Sequence, residues 1–179
     1  QYYIPDITNP HFFGAIRGAE RRASEADVTF ILSNTEESAA NEENQIDRLS
    51  RSVDGFVLAA SRMSDATTAA LAREHNLPLV NREVDGLPSA VVDSGPGSRQ
   101  IVDHLASLGH RSLVYLSGPH QSWLAGQRWK ALRAAAERHG IRAGRLGPFP
   151  PKVGGGGVAA DAALVSAATA FVAHNDLLA

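Results

Sequence analysis

Residues 55–59 read Gly-Phe-Val-Leu-Ala, and this stretch decides the fold. A near-continuous apolar run of this length is typical of a parallel strand that is buried on both faces. Apolar residues at helical spacing precede it, at Ile46, Leu49 and Val53, and residues 66–75 predict a second helix after it. A buried strand between two helices predicts a parallel sheet covered by helices.

The same alternation of strand and helix continues toward both ends of the chain. Asn9-Pro10 supplies a helix N-cap followed by proline at the first helical position. The run Val28–Leu32 predicts another strand buried on both faces. Gly109 is placed to end a helix in the left-handed conformation. The other predicted strands are residues 2–4, 77–80, 90–92, 112–116 and 169–173. Of the later helices, one ends near residue 108, one ends near residue 140, and one lies just before residue 169. Residues 147–151 and 154–157 are predicted as loop.

This order of elements predicts an α/β protein made of two doubly wound parallel-sheet lobes. The pattern breaks near Asp93-Ser94-Gly95, so we assign residues 1–94 to an N-terminal lobe and residues 95–179 to a C-terminal lobe. The last three residues resemble the first turn of a helix, and the chain opens on Gln1. We therefore expect the natural protein to continue at both ends, which leaves the second lobe incomplete.

Composition excludes several classes of function. The chain has 179 residues, 17 basic and 19 acidic, and a formal charge of −2, which is not the footprint of a nucleic-acid-binding surface. Cysteine is absent, which excludes disulfides and thiolate metal sites and fits a reducing compartment. No cationic segment with an apolar run precedes the first strand, so no signal peptide is visible.

Motifs for catalysis are equally scarce. The sequence contains no G-x-G-x-x-G after a strand, no phosphate-binding loop with Lys-Ser/Thr and no G-x-S-x-G elbow. The seven histidines are scattered without metal-ligand spacing. We therefore expect no catalytic residue, no metal and no cofactor.

Polar and aromatic residues follow the predicted strands. In parallel sheets ligands bind outside the carboxyl ends of the strands. A carboxylate there accepts hydroxyl hydrogen bonds, an arginine donates a planar fork, and an aromatic ring covers an apolar face, which together suit a sugar or another small polyhydroxylated or heterocyclic ligand. The candidates are Asp6 to Phe13, Ser33-Asn34, Ser61-Arg62, Asn81-Arg82, Asp93, Ser117 to Arg128 and Asn175-Asp176.

Structural alternatives exist for the charged candidates. Asp176 is also a suitable helix N-cap, and Arg128 lies on a predicted amphipathic helix, where most arginines are solvated. Asp93 is also a suitable turn former before Gly95-Pro96.

The aromatic candidates have structural alternatives as well. Phe12 and Phe13 are adjacent on a helix, so at least one of them should face the core. Trp123 and Trp129 are both suitable core residues, and for Trp129 this is the favoured interpretation.

Five segments carry a family resemblance across the chain. In order they are residues 4–13 (Ile-Pro-Asp-Ile-Thr-Asn-Pro-His-Phe-Phe), 53–59 (Val-Asp-Gly-Phe-Val-Leu-Ala), 104–112 (His-Leu-Ala-Ser-Leu-Gly-His-Arg-Ser), 117–119 (Ser-Gly-Pro) and 174–179 (His-Asn-Asp-Leu-Leu-Ala). Together they resemble the signature segments of the lactose-repressor (LacI) family of bacterial transcription regulators.

The resemblance implies an effector-binding domain of the periplasmic-binding-protein type I fold. In that fold two Rossmann-like lobes are joined by crossover strands and the ligand lies in the cleft. Family members pair the domain with an N-terminal helix-turn-helix that binds operator DNA as a dimer, and this DNA-binding element is absent from the chain. A cytoplasmic homodimer without enzymatic activity or membrane contact is what the resemblance implies.

The resemblance also assigns ligand-binding roles. Phe12 and Phe13 match the aromatic pair of the first loop, which lines the cleft, and Arg128 and Asp176 match the arginine that grips the ligand and the carboxylate that accepts its hydroxyls. With Trp123 and Asn175, which come from the strand-end positions alone, the complete predicted set is Phe12, Phe13, Ser61, Arg62, Asn81, Arg82, Trp123, Arg128, Asn175 and Asp176.

The predicted function is therefore the ligand-sensing domain of a LacI-family repressor, in which a small sugar-like effector allosterically controls operator binding. The alternative is the periplasmic sugar-binding protein of a transporter, which shares the fold. The segment His-Leu-Ala-Ser-Leu-Gly-His at residues 104–110 favours the regulator.

Overall fold

The computed structural model describes residues 1–179, which form two compact units: unit 1 is Gln1–Val91 and unit 2 is Val92–Ala179. Both units are α/β with parallel sheets, which confirms the predicted fold class. The elements are β1 Tyr2–Ile4, α1 Phe13–Glu25, β2 Leu32–Asn34, α2 Ala39–Leu49, β3 Val57–Ala59, α3 Asp65–Glu74, β4 Leu79–Val80, β5 Ser89–Ala90, α4 Ser94–Ser107, β6 Ser112–Leu116, α5 Trp123–Arg138, β7 Arg142–Leu146, α6 Val153–Leu164 and β8 Ala170–Ala173.

Unit 1 is a five-stranded parallel sheet in the order β2-β1-β3-β4-β5, with helices on both faces. Successive strand residues point to opposite faces. Tyr3 and Leu58 therefore enter a core that α2 supplies with Ile46, and α3 packs against the same core. Tyr2 and Ile4 enter the core on the other face, against which α1 packs.

Unit 2 is a three-stranded parallel sheet in the order β7-β6-β8. Leu113 and Tyr115 of β6 point into a core shared with α4 and α5. Val114 and Leu116 point to the opposite face, where α6 packs with Ala159. Each unit thus has helices on both faces of its sheet, as doubly wound folds require.

Side-chain caps fix where the helices begin. Asn9 accepts a hydrogen bond from the His11 backbone N–H before a short 3-10 turn at Pro10–Phe12, as the Asn-Pro pair predicts. Ser38, Ser64 and Ser122 each accept from a backbone N–H three residues ahead, at the start of α2, α3 and α5. None of the helices has the length and hydropathy that a membrane span requires.

The predicted strand Val28–Leu32 is wrong in place and in burial. The strand is β2, which begins only at Leu32, and Val28 is 54% exposed. The physical reason is the position of β2 at the edge of the sheet, where it pairs with β1 alone. An apolar β-branched sequence does not distinguish such an edge from a central strand.

The predicted loop at residues 154–157 is also wrong, because the glycine run lies inside α6. A Cβ on Gly155 would lie 2.1 Å from the carbonyl oxygen of Pro150, and one on Gly156 would lie 2.9 Å from that of Leu178. The absence of side chains therefore permits a close approach between this helix and neighbouring backbone. The intrinsic helix propensity of glycine reflects only its cost in a helix and carries no information about such tertiary contacts.

Candidate ligand-binding site

The strand order places a topological switch point in each unit. In unit 1 the order reverses between β1 and β3, and in unit 2 between β6 and β8. Ligands of open parallel sheets bind outside the carboxyl ends of the strands at such a point. The predicted site residues lie in the segments that follow β1, β3 and β4 in unit 1 and β6 and β8 in unit 2.

The two phenylalanines after β1 have different environments. Phe12 is 5% exposed and packs against Tyr2, Ile4 and Ala59. Phe13 begins α1 and is 47% exposed. The prediction that at least one faces the core is confirmed by Phe12, whereas the Phe13 ring is about half exposed.

Four predicted residues follow β3 and β4 in unit 1: Ser61, Arg62, Asn81 and Arg82, which we call the unit-1 cluster. All four are buried. The Ser61 carbonyl oxygen accepts a hydrogen bond from Arg82 Nη1 at 2.8 Å, which ties the two strand ends together. Asn81 Nδ2 lies 3.4 Å from His11 Nε2 in the first loop. The structure thus brings these residues together within unit 1.

Carboxylates of unit 1 neutralise both arginines of the cluster. Arg62 binds Glu37 Oε2 through Nε and Nη2, both at 2.6 Å, and donates from Nη1 to the Ala60 carbonyl oxygen at 2.9 Å. Arg82 Nη2 binds Asp65 Oδ1 at 2.6 Å, while its buried Nε has no hydrogen-bond partner. Paired arginines of this kind are held in a fixed orientation, and less of their charge is available to attract an anion.

The backbone at these strand ends adopts the left-handed conformation. Ala60, directly after β3, has φ +51°, and Asn81, directly after β4, has φ +56°. Asparagine tolerates the left-handed region, whereas alanine adopts it only where the surrounding structure holds it. Both residues donate backbone hydrogen bonds to the adjacent strand, Ala60 to Val80 at 2.7 Å and Asn81 to Ala90 at 2.8 Å. Such strain is common at ligand sites.

In unit 2 the aromatic residues of α5 separate into two roles. Trp129 stacks on buried Tyr115 with ring centroids 6.2 Å apart and lies against the core. Trp123 is the first residue of α5 and is half-buried. The core interpretation of Trp129 is confirmed.

Arg128 lies on α5 beside the end of β8. Its Nη1 donates a short hydrogen bond to the carbonyl oxygen of His174, and its side chain is part-buried. The interpretation of a freely solvated arginine is therefore wrong. One carbonyl holds the guanidinium, which has donors left for another partner.

The two polar residues that follow His174 differ in role. Asn175 caps the terminal turn, because its Oδ1 accepts from the Leu178 N–H at 3.0 Å, and its Nδ2 donates to Pro151 at 3.3 Å. Asp176 is exposed. The capping role considered for Asp176 is thus filled by Asn175, which leaves the Asp176 carboxylate to face solvent.

Tyr115 and His174 support this end of the unit-2 sheet. Tyr115 Oη and His174 Nδ1 are hydrogen-bonded at 2.9 Å, and burial raises the pKa of Tyr115 to about 12, so the phenol stays protonated. A Cβ on Gly118 would lie 2.5 Å from the His174 ring, so glycine is required for this packing. Arg128 and His174 are therefore fixed relative to β6 and β8.

Asp93 is the N-cap of α4, since its Oδ1 accepts from the Gly95 N–H at 2.7 Å. The expectation from the structure is that Asp93→Ala lowers the free energy of unfolding by about 1 kcal/mol, the usual worth of a cap. Urea unfolding followed by tryptophan fluorescence measures this, with Asp161→Ala, an exposed aspartate inside α6, as the control. A loss in ligand affinity without a loss in stability would contradict the capping role.

Sequence reasoning missed the residues that hold the unit-1 cluster. Glu42 of α2, 2% exposed, receives hydrogen bonds from the Ser61 hydroxyl and the Arg62 N–H, and Glu37 and Asp65 bind the arginines. One signal was present: Glu42 lies four residues before Ile46, on the apolar face of the predicted helix. In unit 2 His174 was missed as a support, although it directly follows a strand.

A comparison with known protein families shows to which family this chain belongs. The sequence model that describes "Periplasmic binding proteins and sugar binding domain of LacI family" matches residues 3–179. The chain belongs to this family. The resemblance to the LacI family is thus confirmed over residues 3–179 of this chain.

Similar proteins of the LacI family are transcriptional regulators. PtxS, an HTH-type transcriptional regulator of Pseudomonas plecoglossicida, is 28% identical over 144 residues, which cover 78% of this chain and 42% of PtxS. The ribose operon repressor of Halalkalibacterium halodurans is 28% identical over 142 residues, covering 77% of this chain and 42% of the repressor. The chain spans less than half the length of these relatives.

Solved structures agree with this fold. A LacI family transcriptional regulator from Enterococcus faecium with bound ribose matches with a TM-score of 0.76 and 27% identity, covering 99% of this chain and 67% of that chain. The Cra transcriptional dual regulator from Pseudomonas putida, in complex with fructose 1-phosphate, matches with a TM-score of 0.84 and 17% identity, covering 99% and 68%. At that identity the second likeness shows the fold alone.

Proposed function

We propose that this LacI-family chain is the effector-sensing part of a transcriptional repressor and that its effector is a sugar or sugar derivative. The observation that carries the proposal is the family match over residues 3–179. The curated relatives are regulators, and the E. faecium regulator has bound ribose. The sensing chain binds its effector and performs no catalysis.

The proposed binding groups are those at the strand ends. Arg128 donates to ligand oxygens with the donors that His174 does not use, Asp176 accepts ligand hydroxyls, and Phe13 covers an apolar face. The unit-1 cluster supplies oriented polar groups. The remaining residues of the proposed site are Phe12, Trp123 and Asn175. A sugar presents both hydroxyls and C–H faces, and each unit offers polar groups for the first and an aromatic ring for the second, Phe13 in unit 1 and Trp123 in unit 2.

Sensing requires the effector to bind one state of the regulator better than another, because only a difference in affinity shifts an equilibrium. We propose that this difference controls binding to operator DNA by a helix-turn-helix outside this chain, in a cytoplasmic homodimer. The curated relatives support this interpretation by their descriptions as HTH-type regulator and operon repressor. They favour it over a transporter's sugar-binding protein.

Arg128→Ala tests the site. We expect about tenfold or greater loss of affinity for whichever of ribose and glucose the wild-type chain binds, because a charged hydrogen-bond donor is removed. Isothermal titration calorimetry measures the dissociation constant. Arg133→Ala, on the same helix with its side chain 60% exposed, is the matched control and should bind as wild type. Equal affinities in all three proteins would remove Arg128 from the site.

A further inference from the structure

We propose that Glu42, on helix α2, is the positioning residue of the unit-1 cluster, and that its single carboxylate sets where Ser61 and Arg62 stand for the effector. This inference rests on the proposed function, because it concerns how that same site is held. No sequence motif assigns Glu42 a role, and it does not belong to any strand end.

The Glu42 carboxylate contacts two consecutive residues of the loop after β3. Oε2 accepts from the Ser61 hydroxyl, and Oε1 accepts from the Arg62 backbone N–H at 2.9 Å. The Ser61 Oγ accepts in turn from the Met63 N–H at 3.2 Å. One side chain from a helix therefore fixes three consecutive residues of the loop after β3.

Further contacts link the residues that Glu42 holds to the rest of the unit-1 cluster. The Arg62 backbone that Glu42 holds carries the guanidinium bound by Glu37, and the Ser61 carbonyl oxygen receives Arg82 Nη1. Ala60, in the left-handed conformation, begins the same loop. A strained turn keeps its conformation only if neighbouring contacts hold it, and Glu42 supplies contacts directly after the strained residue.

The Glu42 carboxylate is buried and lies near the charges of two arginines. Glu42 is 2% exposed, and burial raises its pKa, while the hydrogen bonds of Ser61 and Arg62 and the charges of Arg62 and Arg82 oppose this rise. Burial and, to a lesser extent, the Glu42 charge raise the pKa of Tyr3 of β1 to about 12, so Tyr3 stays neutral over the tested pH range. Glu37, which binds Arg62, is the other carboxylate beside the loop.

The test compares the wild-type chain with Glu42→Gln, which keeps the shape of the side chain and removes its charge. In wild type the Arg62 amide proton should shift in NMR as the pH falls through the raised pKa of Glu42. That shift should vanish in Glu42→Gln and persist in Glu37→Gln. The proposal is overturned if the chemical shift of the Arg62 amide proton does not change with pH, or changes equally in Glu42→Gln. Neither outcome depends on the binding of a sugar.

The second readout is affinity for ribose and glucose by calorimetry. We expect Glu42→Gln to bind the recognised sugar about tenfold more weakly at neutral pH, and wild type to approach that affinity as Glu42 becomes protonated. The affinity of Glu42→Gln should not follow pH over this range. Glu43→Gln, at the exposed neighbouring position, should bind as wild type.

The outcomes separate the two proposals. A wild-type chain that binds neither sugar contradicts the proposed ligand class, while the Arg62 titration still decides the role of Glu42. A wild-type chain that binds a sugar with the same affinity and pH profile as Glu42→Gln overturns the positioning role and leaves the sensor function intact. An unchanged urea midpoint in Glu42→Gln, together with weaker binding, supports positioning over a purely structural role.

Discussion

Gly155→Ala is expected to destabilise unit 2 by about 3 kcal/mol, because overpacking against rigid backbone is among the costly substitutions. The new Cβ would lie 2.1 Å from the Pro150 carbonyl oxygen, and no side chain can move aside to make room. The residues 150–152 that precede α6, or the helix itself, would have to shift. Both tryptophans, Trp123 and Trp129, lie in unit 2, so urea unfolding followed by tryptophan fluorescence measures the loss directly.

Gly157→Ala is the matched control on the same helix. A Cβ there meets nothing within 4 Å, so alanine should raise the free energy of unfolding by about 0.5–1 kcal/mol through its better helix propensity. Opposite signs for two Gly→Ala changes two residues apart would separate close packing from propensity. If both variants stabilise the chain, α6 does not approach Pro150 as described.

The structure around these glycines could not be predicted from the sequence. Capped starts such as Asn9 and ends such as Gly109, which has φ +84°, follow from local chemistry and were predictable. Strand β7 was missed because Arg142, Gly144 and Arg145 break any apolar run, and its exposed residues fit an edge strand of the sheet. A loop and a tightly packed helix made from the same glycine run differ only in tertiary contacts.

The site shows the same division between local and tertiary information. Ser61 and Arg62 follow β3, so the order of elements alone places them beyond the carboxyl end of a central strand. Their carboxylate partners Glu42 and Glu37 come from α2 and the turn before it, 19 to 25 residues earlier in the chain, and only packing brings them close. Sequence reasoning therefore identified the polar groups without their state of pairing.

The ion pair of Arg62 with Glu37 predicts the second large effect, a loss of stability in unit 1. Arg62→Met should destabilise unit 1 by about 3 kcal/mol, because removing one partner of a buried ion pair leaves the other charge unpaired. The side chains of Arg62 and Glu37 are only 6% and 18% exposed, and the Ala60 carbonyl oxygen also loses its donor. Hydrogen exchange of peptides within residues 1–91, together with urea unfolding followed by circular dichroism, measures the change.

The control and the double variant turn this into a test of the ion pair itself. Arg22→Met breaks an exposed pair with Glu25, whose side chains are 77% and 50% exposed, and should change stability by less than about 0.5 kcal/mol. Glu37→Gln added to Arg62→Met should recover part of the loss, since the buried carboxylate no longer lacks a partner. If Arg62→Met costs no more than Arg22→Met, Arg62 is free of Glu37 in solution, and its guanidinium is available to an anionic effector. A large loss with partial recovery instead means that Arg62 reaches the ligand already neutralised, which favours an uncharged sugar at this end of the sheet.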